Sequence, residues 1–153
     1  MDNTSPEKLS RMFRTALFVA GAVLVALPLY VLAVEILKRS GARLGLELPA
    51  EALAPFRYAL YGAAVVAVIL LRVLRGVILR KNPDDSPDRL AHKLLQASIL
   101  TSALSEVPAL LGVVLYLAAG FYRDFYILLI VSLFLMFMFF PRYRNWADWA
   151  GEP

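Results

Sequence analysis

The chain contains no cysteine, which removes disulfides, thiol nucleophiles and thiolate metal sites together. Its single histidine, His92, excludes a bis-histidine haem held within the chain and gives a histidine-rich metal site nothing to stand on. Charge is scarce as well. Charged residues make up 18% of the sequence against 60% hydrophobic ones, and the mean hydropathy is +0.66. That balance is too apolar for an ordinary soluble domain. No nucleophile–base pair and no phosphate loop is present, and the connections are too short for a soluble catalytic site. Neither an enzyme nor a cofactor is expected. The two halves share hydropathy but no convincing repeat.

What is present is clustered apolar sequence. Four runs stand out: Thr15 to Val34, Tyr58 to Leu71, Leu94 to Tyr122 and Phe125 to Pro141, the third interrupted by Glu106 alone. Two are long enough by themselves to cross a bilayer, and the others reach that length if terminal arginines snorkel. In lipid each segment has to satisfy its own backbone hydrogen bonds, so helices are expected. The predicted fold is an all-α integral membrane protein, residues 1–153 forming one four-helix transmembrane domain. Its helices are expected at about 12–38, 54–79, 88–119 and 123–141, with short loops and an interfacial tail over 142–153.

Basic residues are unevenly placed. One side would hold Lys8, Arg11, Arg14, Arg72, Arg75, Arg80, Lys81, Arg89, Lys93, Arg142 and Arg144, eleven in all. The other holds five, Lys38, Arg39, Arg43, Arg57 and Arg123. Positive-inside orientation then puts both termini in the cytoplasm. The +4 net charge needs no nucleic-acid partner, because a membrane face accounts for it.

Residues 1–11 read as a polar arm, in which Thr4 or Ser5 followed by Pro6 and Glu7 suits a helix start, although the membrane helix itself is expected from about residue 12. The first span is too long for a signal-peptide h-region and is expected to be a retained anchor, bent at Pro28. Glu35 with Lys38 and Arg39 has the spacing of solvent-side ion pairs. Ser40 to Pro55 reads as an outer loop punctuated by Pro49 and Pro55. The second span offers a small-residue packing patch at Gly62, Ala63, Ala64 and Ala67. Arg72 and Arg75, one turn apart, are expected to meet lipid headgroups or a partner. After Pro83, Ser86-Pro87-Asp88 reads as the cap and first turn of the third helix, and the aspartates nearby match no metal loop. Gly120 to Asp124 reads as a tight turn. The last span is rich in Phe and Met, which suits packing or lipid contact, and Trp146 and Trp149 read as an interfacial anchor.

The third span carries the unusual residue. Glu106 lies near the middle of its run, roughly 20 Å from Lys93 at a helical rise of about 1.5 Å per residue. An ionised carboxylate at that depth costs several kcal/mol, so Glu106 must be neutral, paired or facing water, and it is a site hypothesis by default. Ser98, Ser102 and Ser105 fall on its face, Thr101 borders that stripe, and Gly112 thins the surface nearby. Pro108 weakens the helix one turn back, where a freed carbonyl can accept a hydrogen bond from a protonated Glu106. Two roles are open: a neutral interhelical tie, or a proton- or ion-binding group.

TSALSEVPALLGVVLYLAAG resembles the carboxylate-bearing helix of the proteolipid (c) subunit of rotary ATP synthases, and Lys81-Asn82-Pro83 is similar to that subunit's polar loop. The resemblance covers about 80–120. It implies that Glu106 carries a proton or cation, with Ser102 or Ser105 as a neighbouring ligand. The second span departs from the family, having Gly62 and Gly76 where a c subunit has a glycine ladder. The whole chain is similar to small four-helix membrane proteins of bacteria that share this third helix and a Phe-Phe-Pro-Arg ending. That implies a multi-pass protein of the bacterial inner membrane. The expected role is an accessory or scaffold subunit of a larger complex, partnered by lipids and by other membrane subunits or by itself. A c-like oligomer or small ion-coupled transporter is the alternative.

Overall fold

A computed structural model describes residues 6–41, 49–80, 82, 85–143 and 146, and it is all-helical. The chain forms α1 (Pro6–Ser40), α2 (Ala50–Ile78), α3 (Pro87–Ala119) and α4 (Tyr122–Phe139), and no strand occurs among the described residues. All four helices are long and apolar enough to cross a membrane. Contacts run end to end: Phe13 stacks on Trp146, and Lys38 lies over Tyr122. The helices therefore alternate in direction, with the N-terminus of α1, the α2–α3 connection and the C-terminal segment at one end. We call this the terminal end and the other the distal end.

Two starts lie earlier than the sequence suggests. α1 begins at Pro6 rather than near residue 12, and Leu9 is buried there against Ala91 and Leu94. The polar reading of residues 1–11 missed this because the exposed Arg11 and its charged neighbours outweigh one leucine in the sequence. α2 begins at Ala50 and absorbs Pro55, which had been taken for loop punctuation. A proline so close to the helix start removes only one backbone bond, to the carbonyl of the exposed Glu51, where water can replace it. Pro28 is likewise accommodated inside a continuous α1.

The third helix starts and stops where its punctuation indicates. The Ser86 hydroxyl accepts from the Arg89 N–H, and Pro87 occupies the first turn. At the other end Gly120 takes a left-handed φ of 71° and returns its N–H to the Tyr116 carbonyl at 2.8 Å. Only glycine adopts that conformation without a Cβ penalty, so α4 can begin two residues later.

α3 is the hub, packing against α1, α2 and α4, whereas α1 and α2 make little contact with each other. Buried residues of α1 are Leu9, Ala16, Ala20, Leu27 and Val34. Their spacings of 7, 4, 7 and 7 residues keep one face turned to a neighbour along a long helix. Ala20, Leu27 and Val34 close on Ala109, Phe125, Leu129 and Met136. On the opposite flank Ala64 of α2 joins Leu115 and Leu128. The outward faces of α1 and α2 stay apolar: Phe18 is 78% exposed and Val77 66%.

Candidate functional site

Glu106 is tied to α1. The Tyr30 hydroxyl donates a short hydrogen bond to Glu106 Oε1, and both side chains are partly buried. On α3 the carboxyl lies about 20 Å from the distal end at Ala119, and Tyr30 about 15 Å from its own distal end at Ser40. One phenol hydroxyl and one carboxyl group thus meet between two helices, well inside the apolar spans. No basic side chain joins them among the described residues.

The hydroxyl stripe does something else. Thr101 donates to the Ala97 carbonyl and Ser105 to the Thr101 carbonyl at 2.7 Å, each one turn back within α3. Such bonds satisfy a hydroxyl locally, without a partner helix. Ser102 is buried against a thin void shared with Ala20 and Met136 that has no room for water. Ser98 sits nearer the terminal end, at a different cavity. None of these four residues hydrogen-bonds to Glu106. They share a helix face with it in sequence, yet the carboxyl turns to α1.

Pro108 is fully buried, and its consequence appears at the next residue. The Ala109 N–H donates to Ser132 Oγ of α4 at 2.8 Å. Beside the proline α3 stays continuous and offers a backbone donor across an interface, while Glu106 bonds Tyr30 rather than the freed carbonyl expected from the sequence. One turn on, Gly112 lies flat against α4: a Cβ there would come within 3.1 Å of the Phe125 carbonyl and 3.2 Å of Leu128 Cβ. Small residues let backbones approach closely in lipid, and here the contact is real. The second-span patch divides. Ala64 and Ala67 are buried, whereas Gly62 and Ala63 are exposed, with nothing within 4 Å of a Cβ on Gly62. As packing residues within this chain, Gly62 and Ala63 are corrected to outward-facing positions.

Two polar ties at the distal end escaped sequence reading. Glu35 accepts hydrogen bonds from Tyr122 and from Tyr126, the latter at 2.7 Å, while the Lys38 ammonium sits 3.5 Å from the Tyr122 ring centroid. Glu35 forms no ion pair with Lys38 or Arg39 among the described residues, so the ion-pair reading gives way to an α1–α4 tie. Nearby, Arg57 Nη2 lies 2.7 Å from Asp124 Oδ1, and the Tyr61 hydroxyl donates to the same oxygen at 3.1 Å. Asp124 is 2% exposed, so this pair joins α2 to the start of α4 through a buried carboxylate. The tyrosine periodicity at 122 and 126, one turn apart, was the signal available for the first tie.

At the terminal end Arg72 is exposed, but Arg75 folds over the Phe139 ring, 4.8 Å from its centroid. Trp146 is 4% exposed and packs with Leu9, Ala16 and Leu94. It is a core residue here rather than an outward anchor, because the chain after Pro141 turns back toward α1. Trp149 lies outside the described residues. In the α2–α3 connection the Lys93 ammonium bonds both Asp85 and the Arg80 carbonyl, the latter at 2.9 Å. That contact, together with the Asn82 N–H, holds the Asp85 carboxyl below its ordinary value of 3.8. No three His, Cys, Asp or Glu side chains converge among the described residues. Comparison with protein-family models, with curated proteins and with solved structures finds no match to this chain.

Proposed function

We propose that this chain is an accessory or scaffold subunit of a larger complex in the bacterial inner membrane, with both termini in the cytoplasm. The supporting observation is the Tyr30–Glu106 hydrogen bond, which engages the single deep carboxyl group in joining α1 to α3. A carboxyl group bonded to a phenol on the neighbouring helix is an interhelical tie. The same pattern holds at Glu35 and Asp124, where acids bind neighbouring helices. The outward apolar faces of α1 and α2 are then available to lipid and to other subunits.

The competing reading, a proton- or cation-binding unit like a c subunit, needs Glu106 to exchange its partner during turnover. Native mass spectrometry of the protein extracted in mild detergent separates the two. Co-purifying different subunits support the accessory role. A ring of this chain alone, with Glu106 labelled by a hydrophobic carbodiimide in a pH-dependent way, would overturn it. Orientation has a direct test, because the chain lacks cysteine. Single cysteines at Asn82 and at Arg39, both exposed, should label from the cytoplasmic and opposite sides respectively.

A further inference from the structure

The terminal end of the bundle holds a cavity of about 50 Å³ between α2, α3 and the segment that follows α4. Arg75, Ser98, Thr101, Phe139, Arg142 and Trp146 contribute to its walls, along with leucine and alanine side chains. A single water needs about 10–15 Å³ measured in this way, so the space takes a group of several heavy atoms. Among the described residues its lining has two arginines, Arg75 and Arg142, and no acidic residue. This combination is unlike any other polar cluster in the described chain, where each arginine or lysine drawn into the bundle faces an acid.

Arg57 has Asp124 and Lys93 has Asp85, but among the described residues the partly buried Arg75 is partnered by an aromatic ring alone. Stacking on Phe139 keeps the guanidinium in place and leaves its N–H donors unused. The Ser98 hydroxyl has no hydrogen-bond partner among the described residues, whereas Thr101 has already given its proton to Ala97. The cavity thus offers donors and positive charge and lacks an acceptor of negative charge. Its depth also fits a headgroup. With Glu106 at mid-membrane, Ser98 lies about 12 Å toward the terminal end along α3 and Leu94 about 18 Å, either side of the edge of a hydrocarbon core about 30 Å thick.

We propose that this cavity binds the phosphate of an anionic membrane phospholipid, with Arg75 and Arg142 as counter-charges and Ser98 as a hydroxyl donor. The proposal rests on the membrane reading above. Guanidinium forks match phosphate oxygens in pairs, and basic pockets between transmembrane helices bind acidic headgroups. A zwitterionic headgroup fits less well, because its ammonium would meet two arginines and no acid. Apolar walls beside the charges suit the acyl chains of a lipid better than free phosphate.

The test is native mass spectrometry of the full chain in mild detergent, titrated with phosphatidylglycerol, phosphatidylcholine or diacylglycerol, with inorganic phosphate as competitor. One phosphatidylglycerol should be retained at least about fivefold better than phosphatidylcholine, the effect of one interfacial basic contact, and diacylglycerol should not be retained. Arg75→Gln and Arg142→Gln should each reduce that retention about fivefold, and Ser98→Ala should reduce it less, while exposed Arg72→Gln leaves it unchanged. Arg142 is exposed and lies outside the helices, so its variant keeps the test open if Arg75→Gln fails to fold. Equal retention of both phospholipids, or retention untouched in Arg142→Gln, would overturn the proposal. Displacement of the lipid by millimolar inorganic phosphate would assign the cavity to a soluble anion and overturn the lipid source. A chain that stays in solution without detergent or membrane would sink the membrane reading itself, a separate result.

Discussion

Replacing Tyr30 by phenylalanine removes one hydroxyl group and leaves the ring, so it isolates the bond to Glu106. Interhelical hydrogen bonds inside membranes average about 0.6 kcal/mol in double-mutant cycles and reach about 1.7. A carboxyl acceptor bonded to a phenol, between helices that otherwise meet through apolar side chains, belongs in the upper half of that range. We expect Tyr30→Phe to destabilise the folded bundle by about 1 kcal/mol. Glu106→Gln keeps a carbonyl oxygen for Tyr30 and should stay within about 0.5 kcal/mol of the parent. Glu106→Leu strands the tyrosine hydroxyl and should cost about 1–2 kcal/mol. The decisive quantity is the coupling energy between Tyr30→Phe and Glu106→Leu, measured by reversible unfolding in bicelles or mixed micelles. It should be about 1 kcal/mol, because the double variant loses the same bond only once. If the two effects add to within about 0.3 kcal/mol, the residues act independently and Glu106 is not a tie to α1.

Other perturbations test the remaining contacts. Gly112→Ala puts a Cβ 3.1–3.2 Å from Phe125 and Leu128, so α4 must give by a few tenths of an ångström and we expect a cost of about 1 kcal/mol, whereas Gly62→Ala, in open space, should be neutral or stabilising. Ser132→Ala leaves the Ala109 N–H buried without its partner and should lower stability by about 1–3 kcal/mol in the same unfolding assay. Arg57→Ala should lower the melting temperature more than Asp124→Asn does, because the first strands a buried acid while the second still accepts from Arg57 and Tyr61. Asp85 has a folded-state pKa below its unfolded one, so its contribution is full above about pH 4 and is lost as pH falls through the folded value. The protection of amides in the α2–α3 connection, corrected for the intrinsic exchange rate, should therefore fall below about pH 4, and Asp85→Asn should abolish that pH dependence.

Much of this architecture follows from local rules. Four apolar runs, each bounded by charge, can satisfy their backbone in lipid only as helices, so the helix count was legible from hydropathy alone. Ser86-Pro87 and Gly120 act through the backbone at their own positions, and α3 begins and ends beside them. The depth of Glu106 follows from rise per residue. Helix ends were less legible, because Leu9 and Pro55 are helical through contacts and solvation that no window of sequence contains.

The partners were not legible. Periodicity states which residues share a face, and it grouped Glu106 with Ser98, Ser102 and Ser105. It does not state which helix that face meets. α3 is buried on several sides at once, so no single polar or apolar stripe marks its orientation. Tyr30, Ser132, Tyr122 and Tyr126 read as ordinary members of apolar runs until α1 and α4 bring them against Glu106, the Ala109 N–H and Glu35. Trp146 turned inward and Gly62 outward for the same reason. By itself the sequence determined how many helices there are, where their strong caps lie and how deep the carboxyl sits, since each depends on spacing along one chain. Only the tertiary structure decided what each polar group bonds to, because that depends on distances between segments 20 to 90 residues apart.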